Sequence, residues 1–354
     1  MALRYIDSMG DHYAAAQADL KWTEAYLQSR VGGLHGYALT GAFTKGVVFG
    51  SPTTIFEFYL YIDYFSDRLL TTYDSNRNEQ IRCGPLNDGS IVVNRFSTSA
   101  AWPNDMVGQT PPDTLRALTW YHVGIKILHH VSAGSVEIRI NGGTVLNVTG
   151  IATVSQITPS YWSGTVRSFK LGNTAGYNRF DDLVVMDDVA DGIDDSRLPG
   201  GGGFTKFIGP VEVRVKRPSG PGLSAAWTSG PGAAPTPGVP NWQNVDDVDP
   251  DTDTTVNTAA PTAVGASDLF AMEDLLPGED VLAVQSLVLA RKTDEGTAAL
   301  AKLSNDGVTT RAGVTVYQPS TYSYMHAPEP TAPDGSLWTA AKWNAMQYGY
   351  RRII

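Results

Sequence analysis

The sequence predicts an all-β chain: two antiparallel β-sandwich domains of jelly-roll type, closed by a short C-terminal helix. Three observations carry this. The run TWYHVGIKILHHVSAGSVEIRINGGTVLNVTG (119–150) alternates apolar and polar residues, turns, alternates again, meets Asn141-Gly142 and alternates once more. Asn-Gly between alternating runs is the strongest short-range hairpin signal, so three antiparallel strands are expected there. The segment IFEFYLYIDYF (55–65) has one wholly apolar and aromatic face. Finally, 36 Gly and 21 Pro suit many short strands joined by turns. A chain of 354 residues is too long for one typical sandwich and fits two domains.

The elements follow in order. The stretch Tyr13 to Arg30 predicts a short helix, ended by Gly32, Gly33 and Gly36. In 55–65, Phe56, Phe58, Leu60, Ile62 and Tyr64 share the apolar face, and Glu57, Tyr59, Tyr61, Asp63 and Phe65 the other. Strands are expected at 68–73, 79–83 and 90–96, the last two joined by the turn Asn87-Asp88-Gly89. Residues 97–118 read as a polar loop. In the meander, Tyr121, Val123, Ile125 and Ile127 face one way with Val136, Ile138 and Ile140, while Trp120, His122, Lys126, Glu137 and Arg139 face the other. VRSFKLG (166–172) and FDDLVVMDD (180–188) are two further strands and close a first sandwich domain over 1–198.

The run DGIDDSRLPGGGG (191–203) is polar and ends in four glycines, so 199–203 reads as a linker. A second sandwich is expected over 204–354. It would begin with the alternation Val211, Val213, Val215. Residues 218–240 hold six Pro and five Gly, which predicts a long loop or extended arm. VLAVQSLVLARK (281–292) is apolar on both faces and reads as a central strand. LWTAAKWNAMQYG predicts a short helix capped by Gly349 and anchored by Trp338 and Trp343, and YGYRRII a closing strand.

Composition narrows the function. The net charge of −10 divides evenly, −5 in residues 1–200 and −5 in 201–354, so neither half carries the basic footprint of a nucleic-acid binder. The single cysteine, Cys83, forms no internal disulfide and suits a buried apolar position in a chain folded under reducing conditions. The opening residues do not read as a secretion signal, and no apolar run approaches the 18 residues of a membrane helix, so no membrane partner is expected.

The segments YIDSMGDHY, FEFYLYIDYF, the W-x-H-V of TWYHVGIKI, SVEIRINGG and FDDLVVMDD, in that order, resemble a concanavalin-like or laminin-G-like jelly roll. The whole chain, with GPVEVRV, NWQNVDDVDPDTDTT, SDLFAMEDL and WTAAKWNAMQYG following, is similar to virion structural proteins of tailed bacteriophages. The resemblance implies an accessory protein of the virion, attached to capsid or tail, with itself and other virion proteins as partners. It implies no cofactor and supplies no catalytic residues. The calcium ligands of laminin-G-like and pentraxin-like proteins are not matched here.

Tyr59 and Tyr61, beside Glu57 and Asp63, could stack a sugar or dock a neighbouring subunit; the alternative is an outer face covered by a loop. Glu57 and Asp63 lie about 20 Å apart along one strand, too far for a hydrolytic pair at roughly 5–9.5 Å. The alternate acids Asp249, Asp251 and Asp253 could converge on a cation. They lack the sharp-turn glycine and distal glutamate of an EF-hand, and Pro250 interrupts them. Asp181-Asp182 and Asp187-Asp188 flank a strand as edge or turn acids. His129 and His130, adjacent in a hairpin, point apart and chelate one metal poorly. No nucleophile-elbow, zinc-protease, CxxC or P-loop pattern occurs. The expectation is a non-enzymatic, oligomeric virion protein with possible contact to host glycans; the alternatives are a lectin for host adsorption and a polysaccharide hydrolase.

Overall fold

The structure is a computed structural model. It describes residues 2–7, 24–27, 37–40, 43–46, 49–63, 65, 68–96, 105–154, 166–172, 178–188, 207–209, 211, 213–229, 240–246, 256–259, 262–293, 295–329 and 331–354. The chain divides into two compact units, Met1–Val213 and Arg214–Ile354. Both are built from antiparallel strands, with a single short α-helix among the described residues.

Among the described residues the first unit has fourteen strands: β1 (Ala2–Asp7), β2 (Glu24–Leu27), β3 (Tyr37–Thr40), β4 (Phe43–Gly46), β5 (Thr53–Tyr61), β6 (Leu70–Tyr73), β7 (Glu79–Pro85), β8 (Ile91–Arg95), β9 (Met106–Gln109), β10 (Trp120–Leu128), β11 (Gly134–Ile140), β12 (Gly143–Ile151), β13 (Ser168–Leu171) and β14 (Arg179–Asp187). One sheet has the order β12-β11-β10-β5-β14-β3-β2, with β1 also on β14; the other runs β4-β13-β6-β7-β8-β9. The meander forms as read. Asn141 and Gly142 both take positive φ (50° and 82°), the backbone a two-residue hairpin turn requires.

The core lies between the two sheets. Phe56, Phe58 and Leu60 of β5 stand opposite Ile125, Val123 and Tyr121 of β10, and this row meets Leu70, Ile81, Cys83, Val93, Phe169 and Leu171 of the other sheet. Phe56 packs edge-on against Phe169 with ring centroids 5.1 Å apart and also meets Phe49. Such pairs add about 1 kcal/mol to the burial term. Cys83 sits in this core, where burial pushes its thiol up to about 12.

Two expectations for this unit are corrected. In the stretch read as a helix, Glu24–Leu27 is strand β2, because pairing with β3 satisfies its backbone; the rest lies outside the described residues. The loop expected over 97–118 contains β9, which pairs with β8 as an edge strand.

The second unit has β15 (Pro218–Ala225), β16 (Thr228–Ser229), β17 (Asn257–Thr258), β18 (Ser267–Met272), β19 (Val284–Ala290), β20 (Ala299–Asn305), β21 (Thr310–Tyr317), β22 (Ser323–Glu329), α1 (Ala340–Asn344) and β23 (Gln347–Arg352). A five-stranded sheet runs β15-β18-β23-β20-β21, and two-stranded pairs form from β16 with β17 and β19 with β22. Trp338, Trp343, Met346 and Tyr348 form a core with Val281, Val284 and Ala332. Both tryptophans are buried, their indole N–H groups donating to the carbonyls of Glu329 and Glu273. Thr339 caps α1 by accepting from the Lys342 amide.

Four readings change here. The Pro/Gly segment 218–240 opens with β15, an edge strand, where Pro218 and Pro221 are tolerated. Gly222 makes β15 possible, since a Cβ there would lie 2.3 Å from the Leu269 carbonyl oxygen. The alternation at 211–216 forms no ladder among the described residues. The apolar run 281–292 supplies β19, which among the described residues pairs with β22 alone and is not a central strand. Gly349 does not cap the helix. It sits inside β23, where a Cβ would come 1.8 Å from the Asp268 carbonyl oxygen, so only glycine lets β23 approach β18.

One buried carboxylate ties Trp227, within the Pro/Gly segment, to Asn241, just after it. Asp268 accepts from the Trp227 amide (2.9 Å) and the Asn241 side-chain amide (2.6 Å). Asn257 extends the network to the Asn241 carbonyl and the Tyr350 hydroxyl.

Two substitutions test this architecture by thermal unfolding. Phe56→Ala is expected to destabilise the first unit by about 3–5 kcal/mol. Gly349→Ala is expected to destabilise the second by about 3 kcal/mol or more, because the clash is with backbone that cannot turn aside.

Candidate functional site

The candidate site lies on the outer face of the larger sheet of the first unit. Strand register sets side chains in rows across β14, β5, β10 and β11. One row holds Arg179, Tyr61 and Trp120; the next Asp181, Tyr59 and His122; the next Val184, Glu57, Gly124 and Arg139. Period-two alternation on β5 puts Glu57, Tyr59 and Tyr61 on this face because their neighbours are needed in the core.

Glu57 is 1% exposed. It is covered by the chain's own segment 207–209, used as a strap. The Ile208 amide donates to Oε1 (2.6 Å) and the Gly209 amide to Oε2 (2.9 Å). Phe207 lies over Gly124, where a Cβ would be 2.7 Å from the ring, and beneath the Arg139 guanidinium, 4.6 Å from the ring centroid. Arg139 is held in turn by Glu137 at 2.7 Å. On the other flank β14 carries a bulge. Asp182 adopts φ 48° and the register against β5 shifts between Asp181 and Val184. The bulge re-aims Asp182, whose Oδ1 accepts from the Val213 amide at 3.1 Å. Glu57 thus faces main-chain donors and the imidazole of His122, with Nε2 3.5 Å from Oε2. Burial pushes the Glu57 carboxyl up to about 7, against the opposing pull of the Ile208 and Gly209 amides and of Arg139.

Beyond the strap the same face carries a half-buried aromatic corner. The Tyr61 and Trp120 rings are 5.3 Å apart, and the Arg179 guanidinium lies 4.8 Å over Tyr61. Arg179 also grips Asp63, its Nη2 and Nε lying 2.8 and 2.9 Å from Oδ2. Two residues before Trp120, Leu118 is 70% exposed at φ 58°, a left-handed backbone that leucine rarely adopts.

The four ligand-binding candidates from the sequence therefore separate. Tyr61 and Asp63 come together with Trp120 and Arg179. Tyr59 turns edge-on to His122, with ring centroids 5.2 Å apart. Glu57 lies under the strap. Sequence reasoning missed Arg179, Gly124 and Phe207. The alternation of β10 did point Trp120 and His122 to this face; no local pattern links residue 57 to residue 207.

The remaining candidates behave structurally. Asp249, Asp251 and Asp253 lie outside the described residues. Asp187 accepts from the Gly50 amide and Asp188 from the Thr53 hydroxyl, so both acids staple the start of β5. His129 points inward to the Thr54 hydroxyl (3.2 Å), and burial pushes it down to about 3. His130 instead accepts from the Ser132 and Ala133 amides. Among the described residues, no group of three or more His, Cys, Asp or Glu converges on a metal position.

No protein-family model matches the chain, and no curated protein matches it in sequence. Among solved structures it is similar to a galectin from Caenorhabditis elegans (10% identity over 46% of this chain and 95% of that one, TM-score 0.29). It is also similar to the alginate lyase Aly36B (13% identity, 52% of this chain and 98% of that one, TM-score 0.29) and to a tetrameric galectin from the ball sponge Cinachyrella (9% identity, 41% and 98%, TM-score 0.30). At TM-scores this low the likeness goes no further than the layering of antiparallel strands.

Gly124→Ala tests the seat of the strap. The added methyl is expected to displace the Phe207 ring at a cost of about 1–3 kcal/mol and to speed chymotryptic cleavage after Phe207 relative to wild type.

Proposed function

We propose that this chain is a non-catalytic binding and assembly protein, and more specifically an oligomeric structural or accessory protein of a phage particle that contacts a host-surface glycan. The observation that carries the binding reading is the division of the outer face. Its buried acid is closed beneath the chain's own main chain, while Tyr61, Trp120, Arg179 and Asp63 stay partly open. Aromatic rings beside a fixed guanidinium and carboxylate suit a sugar, which offers apolar C–H faces and hydroxyl groups together. The virion placement is supported by the order of sequence segments described above. A lectin acting in host adsorption uses the same corner and the same chemistry.

A polysaccharide hydrolase is the less supported reading. It would need Glu57 open to substrate and a second carboxylate within about 5–9.5 Å. Asp63 is instead committed to Arg179.

Saturable binding to host-envelope polysaccharide is the decisive measurement. Trp120→Ala and Tyr61→Ala are each expected to weaken it about tenfold, the equivalent of roughly 1.4 kcal/mol of stacking. Reducing-sugar release by the wild-type protein would instead establish the hydrolase. Labelling of intact particles, with sedimentation of the purified chain as a closed oligomer, tests the virion role.

A further inference from the structure

The strap has a property that does not depend on whether the aromatic corner binds a glycan. It lies close to the end of the first unit, at Val213. Among the described residues 207–209, 211 and 213, three main-chain amides end on side-chain carboxylates, Ile208 and Gly209 of the strap on Glu57 and, beyond it, Val213 on Asp182. A strand in a ladder would hold these amides with carbonyl groups, which do not titrate. Here the partners do. We propose that the strap is a proton-operated latch, docked while Glu57 holds a proton and loosened when that carboxyl ionises.

Two effects oppose each other at Glu57. The Ile208 and Gly209 amides favour the carboxylate, but the strap that brings them also excludes water and favours the acid. Burial outweighs them: Glu57 is 1% exposed, sealed from water by the strap, and this pushes its carboxyl up to about 7 against both amides and Arg139. The protonated form keeps its contacts. Oε1 still accepts from Ile208, and Oε2 accepts from Gly209 while its own proton faces His122 Nε2 at 3.5 Å. Among the described residues, the charged and titratable groups around Glu57 are Tyr59 on its own strand, His122 and Lys126 on β10, Arg139 and Glu137 on β11, and Asp181 and Asp182 on β14. The described residues of the strap and just beyond it, 207–209, 211 and 213, bring none.

The sign follows from linkage. With the strap lifted, Glu57 faces water and its ordinary value is 4.5; with the strap docked it is about 7. The docked state binds the proton more tightly. Docking is therefore strongest below pH 4.5, weakens as pH rises towards 7, and changes little above.

The test is hydrogen exchange of the Ile208 and Gly209 amides in the full chain from pH 5 to pH 8, corrected for intrinsic exchange. Protection is expected to fall roughly 70-fold, the ratio set by values of 4.5 and about 7, while the Val123 and Ile125 amides of β10 stay unchanged. Glu57→Gln is expected to remove the pH dependence and His122→Gln to retain it. A flat wild-type profile, or an unchanged slope in Glu57→Gln, overturns the proposal. So does a slope lost only in His122→Gln, which would put the proton on the imidazole. If Glu57→Gln fails to fold, the carboxyl carbon shift of Glu57 in the wild type decides: a midpoint near 7 upholds the latch and one near 4.5 overturns it.

Discussion

The first unit depends on the alternation of one strand. β5 is hydrogen-bonded on both sides, to β10 and to β14, so its register fixes theirs. A slip of one residue would turn Phe56, Phe58 and Leu60 outward and put Glu57 and Tyr59 between the sheets. A carboxylate there would meet Phe169 and Cys83 with no donor to receive it. The core therefore dictates the outer face, and every side chain of the candidate site inherits its position from the packing beneath it.

That dependence explains what could be read in advance. Period-two patterning in 55–65 and 119–150, together with Asn141-Gly142, specifies strands, faces and one turn locally. The strands at β6, β7, β8, β13 and β14 follow for the same reason. Two departures in the second unit have a different cause. Pro218, Pro221 and Gly222 argue against strand β15 when taken alone, and Gly349, inside the closing strand that YGYRRII predicts, reads as a helix cap. Each is explained by a neighbour distant in sequence: an edge left without a further strand, or a carbonyl from β18 too close for any Cβ. The candidate site divides similarly. Tyr61 and Trp120 are visible from alternation, but the Arg179 partner and the strap over Glu57 arise from contacts spanning more than a hundred residues.

Both units bury a carboxylate and satisfy it with main-chain and side-chain amides, yet to different ends. Asp268 is met by Trp227 and Asn241, and its network continues through Asn257 to Tyr350. This holds Trp227 and Asn241, on either side of the Pro/Gly-rich stretch 230–240, to one strand of the sheet, and its hydrogen bonds offset part of the entropy lost in fixing them. Burial raises the Asp268 carboxyl in the same direction as that of Glu57. At Glu57 the acid faces an imidazole and a strap whose described residues join no strand, and the proposed latch turns the same economy of amides into sensitivity to charge.

The position of Cys83 has a practical consequence. Its sulfur is wrapped between the two layers of the first unit and, at a thiol value of about 12, contributes almost no thiolate near neutrality. The folded chain is thus silent towards maleimides and other alkylating reagents. A cysteine introduced on the surface would be its single reactive handle, ready for a fluorophore or a gold cluster without first removing the native sulfhydryl.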